Sequence, residues 1–179
     1  MTKFFKHIPP HLYLDGQIYF ITSRTIERLK YFNSKDKLNI LKNRIDLAVE
    51  KFNFELFAWI LIFNHYHLLF RLVEGKRLSE IVQFINGGSA FELNKFENKR
   101  GRQIWWNYWD YCIRNDIDYY KHFNYIHSNP IKHGLVKSYE ELKNYEFSSY
   151  IEYCNKFGEE WLMECFANYP IVDFSIPED

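Results

Sequence analysis

The stretch Ala58–Val73, A-W-I-L-I-F-N-H-Y-H-L-L-F-R-L-V, constrains the fold more than any other part of the chain. It is the most apolar segment, yet it falls short of the roughly 18 uninterrupted apolar residues of a membrane helix. Phe54–Phe63 and His65–Val73 read as two strands joined by a tight turn at Asn64, a residue that tolerates left-handed geometry. Strand side chains alternate between faces, so His65 and His67 share one face and Tyr66 takes the other. Two imidazoles about 7 Å apart along one strand can share a divalent metal ion. Histidines flanking one hydrophobic residue also occur by chance, so the pair needs support from elsewhere in the chain.

The flanking segments supply a frame. Gln17–Thr25 alternates, is rich in β-branched and aromatic residues, and follows an Asp15-Gly16 turn, which predicts a first strand. Ser34 caps a helix from Lys35 to Lys51, with Leu38, Leu41 and Ile45 at helical spacing. A second helix starts at Leu78, is interrupted at Gly87-Gly88, and resumes to Phe96. A basic turn, Lys99–Arg102, leads to an aromatic fourth strand within Ile104–Arg114. A third helix is predicted over Asp116–Ser128, ended by Asn129-Pro130 because proline pushes its predecessor out of helical geometry. Short helices follow at Ser138–Asn144 and near Glu159–Phe166. The order β-α-β-β-α-β predicts an α+β, ferredoxin-like antiparallel sheet with helices on one face, plus a C-terminal tyrosine-bearing helix and tail. The other sheet face would be free to form a site. Residues 1–137 would form the domain, and 138–179 an acidic extension packed on or beside it.

The net charge of zero conceals a division. Residues 1–137 hold 21 Lys and Arg against 13 Asp and Glu, while 138–179 hold 2 against 10. A basic body suits phosphate binding, since its cations displace counterions from nucleic acid, though it is equally the mark of an ordinary solvated surface. Aromatic residues make up 20% of the chain, which serves base stacking or a large core. Cys112, Cys154 and Cys165 are odd in number and lack ligand spacing, so they read as reduced thiols of a cytoplasmic protein. Neither a signal peptide nor a membrane span is expected.

The third helix carries the second half of the pattern. Asp118, His122, Tyr125 and Asn129 make a polar stripe at spacings of three and four. Asn129 could simply end the helix, and Tyr125 could make an ordinary buried hydrogen bond. Tyr119 and Tyr120 are rival nucleophiles, with Phe123 and Asn124 four positions on. Arg100, Arg102, Arg114, Lys121 and Lys132 are candidates for phosphate contacts, and Trp105, Trp106 and Trp109 for base stacking. Alternation puts Trp105 and Trp109 on one face and Trp106 on the other, with core packing the competing role.

F-N-H-Y-H-L-L at 63–69, followed by N-Y-I-H-S-N-P-I-K-H-G-L-V at 124–136, resembles the REP-associated tyrosine transposases of the His-hydrophobic-His superfamily. The likeness extends to Tyr19–Thr25, to D-Y-C-I-R-N-D at 110–116 and to E-F-S-S-Y at 146–150. One departure is Ile62-Phe63, where the family commonly has Met-Pro. The resemblance implies a metal-dependent enzyme that cuts single-stranded DNA beside a hairpin and rejoins it. It also implies His65 and His67 as the metal pair, Tyr125 as nucleophile, and Asn129 as a third ligand. Magnesium or manganese is the implied metal, where two imidazoles read alone would suit zinc. His122 is a candidate to assist Tyr125, against the plainer reading of a surface histidine. The partner would be single-stranded or hairpin DNA, and the protein a monomer or homodimer. The competing reading is a non-catalytic module that binds structured DNA or RNA.

Overall fold

The structure, a computed structural model, describes residues 14–172. Four antiparallel strands, β1 (Ile18–Thr25), β2 (Glu55–Ile62), β3 (His65–Arg71) and β4 (Trp105–Cys112), lie in the order β2-β3-β1-β4. That is the ferredoxin-like order, and it makes the His-Tyr-His strand a central one. Tyr66, Leu68 and Phe70 of β3 join Tyr19 and Ile21 of β1 under the helices α1 (Lys35–Phe52) and α2 (Leu78–Phe96). Leu38, Leu41 and Ile45 supply the buried stripe of α1, whose Ser34 side chain accepts from the Lys37 amide. Gly87-Gly88 does not interrupt α2. Arg44 of α1 lies where a Cβ at position 88 would sit, and its Nε donates to the Phe84 carbonyl at 3.0 Å. The glycine thus permits a close helix crossing rather than a break.

Helices cover both faces, not one. On the far side lie α3 (Asp116–Lys132), α4 (Tyr150–Phe157) and α5 (Glu159–Asn168), and there Ala58, Ile60 and Leu69 of the sheet pack with Phe123, Ile126, Tyr150 and Leu162. Asn115 Oδ1 starts α3 by accepting the Asp118 amide at 3.0 Å. The helix runs through Asn129-Pro130 to Lys132 instead of stopping before them. A proline removes only its own N–H and disturbs the carbonyl four residues back. With the helix ending within a turn, His133 still donates to the Asn129 carbonyl at 3.0 Å. Asn129, Lys132 and His133 therefore stay in helical register with Tyr125.

The E-F-S-S-Y segment closes one sheet edge. Leu61 donates to the Phe147 carbonyl and Ser149 to the Trp59 carbonyl, each at 3.0 Å, beside a bridge between Ile60 and Ser148. Paired in this way, β2 no longer presents a bare edge. Strand β4 is the other edge. Among the described residues no helix is long and apolar enough to cross a membrane.

A bulge reorders the tryptophans. Thr25 pairs with Trp105 and Arg24 with Asn107, which leaves Trp106 as the extra residue. Trp105 and Trp109 consequently face opposite ways. Trp105 turns into the α1–α2 side, 8% exposed, stacked on Phe32 at 5.2 Å, with Nε1 donating to Ser89 Oγ at 3.0 Å. It is a core residue, and the base-stacking role expected for it is withdrawn.

Candidate metal and nucleic-acid site

Strand register defines the face beneath α3 as three cross-strand rows, Ile62–His65–Arg24–Asn107, Ile60–His67–Thr22–Trp109 and Ala58–Leu69–Phe20–Tyr111. Helix α3 crosses these rows obliquely. His122 stacks on Tyr111 of β4 at 5.0 Å, the Tyr125 ring meets His67 of β3 edge-on at 5.2 Å, and Asn129 reaches His65. The two histidine rings lie 5.0 Å apart, facing the same side as the strand alternation requires.

The hydrogen bonds decide which ring nitrogens carry protons. Asn64 Nδ2 donates to the Arg28 carbonyl at 3.0 Å, so its Oδ1 is the atom 2.8 Å from His65 Nδ1. That oxygen only accepts, so Nδ1 holds the proton and Nε2 the lone pair. Asn129 Nδ2 likewise donates to the Tyr125 carbonyl at 2.9 Å, which turns its Oδ1 toward His65 Nε2 at 3.5 Å. Two acceptors thus face one another. His67 Nδ1 lies 2.7 Å from Thr22 Oγ1, and in the tautomer that donates Nδ1–H to that hydroxyl the buried Nε2 carries a lone pair and has no hydrogen-bond partner. An orphaned buried acceptor costs about 1–3 kcal/mol. Three Lewis-basic atoms around one point, with outer hydrogen bonds fixing the tautomers, are what a cation needs.

Electrostatics keeps both rings neutral. Burial pushes His65 down to about 3, reinforced by the charges of His133, Lys132 and Arg28 and opposed by the Asn129 amide. Burial also holds His67 well below the ordinary histidine range, with His65, His133 and Lys132 adding to it. Neutral imidazole is the ligating form. Among the described residues no three His, Cys, Asp or Glu side chains form a metal cage; the polar atom beside the two imidazoles is the Asn129 amide oxygen. The cations around the pair also favour a phosphate beside it.

The other expected residues divide. Tyr125 is 5% exposed and carries the Lys132 ammonium over its ring at 5.3 Å. His122 is buried rather than on the surface, with Nδ1 donating to the Asp118 carbonyl at 2.8 Å and its ring 4.8 Å from Phe20. Phe20 in turn touches both His67 and Tyr125. Arg102 is engaged by Glu97 and by Asn94 Oδ1 at 3.0 Å, in the loop between α2 and β4. Arg100 lines a shallow cleft of about 440 Å³ beside that loop. Arg114 lies over Tyr111 at 5.3 Å and lines a cleft of about 550 Å³ at the sheet end away from His65, with Tyr119 and Tyr120. Lys121 is partly exposed on α3, and Trp106 is 47% exposed in the bulge.

Sequence reasoning missed Thr22, Asn64 and Arg24. Thr22 and Arg24 sit opposite His67 and His65 in the β1–β3 register, a pairing that only the assembled sheet reveals. Asn64 was read as a turn former, and its side chain additionally orients His65. His133, whose ring lies 4.7 Å from His65, was hidden by the helix end expected at proline.

Comparison with known proteins gives a consistent picture. The family described as Transposase IS200 like matches residues 14–129. A Haemophilus influenzae protein provisionally named a REP-associated tyrosine transposase is 28% identical over 148 residues, 77% of this chain and 82% of that protein. The REP-associated tyrosine transposase of Escherichia coli is 28% identical over 145 residues, 77% of this chain and 79% of its own. The solved structure of a REP-associated tyrosine transposase bound to a REP hairpin superposes with a TM-score of 0.67 at 24% identity, covering 87% of each chain. That likeness establishes a shared fold.

Proposed function

We propose, for a chain that belongs to the IS200-like transposase family, a metal-dependent single-strand DNA nuclease and strand transferase that works beside DNA hairpins. One observation carries the chemistry: His65 Nε2, His67 Nε2 and Asn129 Oδ1 meet as acceptors without a donor, next to the Tyr125 ring. Those three atoms would hold magnesium or manganese, with two nitrogens and one oxygen from the protein. Such an ion, when bound, offsets phosphate charge and orients the phosphodiester for in-line attack.

The protein's own part is positioning and proton handling. Tyr125 Oη attacks phosphorus, a P–O bond to tyrosine forms, and the bond to the 3′-oxygen breaks. The phenol loses its proton and the leaving oxygen gains one, giving a free 3′-hydroxyl and a 5′-phosphotyrosine that preserves the bond for rejoining. Lys132, over the tyrosine ring, supplies positive charge to the phosphate. His122, one turn before Tyr125, has its ring oriented by Nδ1–H donation to the Asp118 carbonyl and is the candidate to assist the phenol. Tyrosine and histidines come from a single chain, so one copy carries the full set. The hairpin is inferred from the relative solved with one.

With a labelled hairpin-bearing single strand and Mn²⁺, the protein should form a covalent DNA adduct that survives denaturing electrophoresis. Tyr125→Phe should abolish it, and His65→Ala should reduce it at least tenfold. An adduct that persists in Tyr125→Phe refutes the nucleophile. DNA binding that survives His65→Ala and EDTA, with no cleavage under any metal, would mark a binding module instead.

A further inference from the structure

Among the described residues, α3 meets β4 at the Tyr111 row and reaches β3 by the rows of His67 and His65, an oblique path. The corner formed by the end of β1 and the start of β4, bearing the partly exposed Arg24 and Trp109 and the exposed Asn107, stands beside the histidines, and no helix of the described residues is placed over it by these contacts. Arg24 is the cross-strand neighbour of His65, and Trp109 lies in the row of His67, one strand beyond Thr22. The Arg24 guanidinium lies over the Trp109 ring, 4.6 Å from its centroid. Among the described residues β4 is an edge strand, with no further strand beside it.

We infer that Arg24 and Trp109 form a nucleotide subsite for the single strand that flanks the cut phosphate, an inference that rests on the function proposed above. Trp109 would stack one base, and Arg24, with its guanidinium over the same ring, would meet the adjoining phosphate. Two strand spacings, roughly 10 Å, separate Trp109 from His67. A base on the tryptophan therefore brings its own backbone toward the histidine pair. The charge fits this occupant: Arg28 and Lys132 act on His65, the cross-strand neighbour of Arg24, and Lys30 and Lys132 act on His133. The bulge at Trp106 is what turns Trp109 to this face while Trp105 fills the core. Trp109 thereby takes the stacking role that Trp105 gives up.

The test is metal-free binding of the full chain to a fluorescein-labelled oligo(dT) in EDTA, over a range of salt. Trp109→Ala should weaken binding about tenfold or more, and Trp109→Phe should retain most of it. Arg24→Ala should make the slope of log K against log salt shallower by about 0.7, and Arg24→Lys should leave the slope unchanged. Circular dichroism melts of each variant exclude unfolding as the cause. Wild-type affinity in Trp109→Ala together with an unchanged salt slope in Arg24→Ala would overturn the subsite. This readout involves neither metal nor Tyr125. If no adduct ever forms but Trp109→Ala still loses binding, the cleavage reading fails and the subsite stands. If Tyr125 forms its adduct and Trp109→Ala binds normally, the subsite alone is wrong.

Discussion

A histidine is a useful ligand only when its lone pair is aimed, and here the aiming is done by neutral neighbours. In the tautomer that bares Nε2, His67 Nδ1–H donates to Thr22 Oγ1, and His65 Nδ1–H donates to Asn64 Oδ1. Thr22→Val is nearly isosteric, so the fold should persist while His67 is free to rotate or change tautomer. Outer hydrogen bonds of this kind typically account for 10–100-fold in metal affinity, and Mn²⁺ titration followed by electron paramagnetic resonance should show a loss in that range. Unchanged affinity would mean that Thr22 does not orient the ligand. Histidine burial also sets a pH dependence away from the site. His127 is fully buried with Nε2 2.8 Å from Ser149 Oγ, and burial pushes it down to about 3. Its folded pKa lies below the unfolded value near 6.5, so the unfolded chain binds more protons between those limits. Its contribution to stability is therefore complete above about pH 6.5 and is lost as pH falls toward 3. The slope for one such group reaches about 1.4 kcal/mol per pH unit. Urea unfolding at pH 7.5 and 5.5 should differ by about 1 kcal/mol or more, and equal stabilities would contradict the assignment.

At the scale of elements, α3 is the part on which the proposed chemistry depends. Its start is specified locally, by the Asn115 side chain on the Asp118 amide and by the Asp118 carboxylate on the Arg114 amide, each at 3.0 Å. Its position is specified by packing, through Phe123 and Ile126 on the sheet. These two contributions separate experimentally. Asn115→Ala should cost about 1 kcal/mol of unfolding free energy, read by urea denaturation, while adduct formation by the folded protein stays near wild type. A large loss of adduct with unchanged stability would show that the cap positions Tyr125 directly. Pro130 sits in the last turn, where a missing N–H costs one helical bond and leaves the Asn129 and Tyr125 faces aligned.

For the whole molecule, the acidic C-terminal segment is structural. Leu142, Tyr150 and Leu162 belong to the same apolar cluster as Ile60 and Phe123. Tyr145 Oη donates to the Leu61 carbonyl and Tyr153 Oη to the Phe57 carbonyl, both at 2.6 Å, alongside the backbone pairing that covers the β2 edge. A chain ending at Lys137 would expose that cluster and bare the edge strand. It should lack a cooperative thermal transition by circular dichroism and should aggregate. A soluble, cooperatively melting fragment would show that residues 14–137 form an independent unit.

The sequence by itself determined the four strands, the face shared by His65 and His67, and the helical stripe that joins Tyr125 to Asn129. Each depends on a local period of two or 3.6 residues, which is written in the order of side chains. It also carried the family motifs, which are contiguous. Only the tertiary structure decided what those periods meet. Trp105 and Trp109 look equivalent along the strand, and one bulged residue turns the first into the core and the second to the face of His65 and His67. Asn129-Pro130 reads as a helix end, yet packing keeps the helix going and brings Lys132 to Tyr125 and His133 to His65. Arg24 and Thr22 gain their places from the strands beside them. Cross-strand neighbours and helix docking are contacts between residues far apart in the chain, and no local pattern encodes which of them will touch.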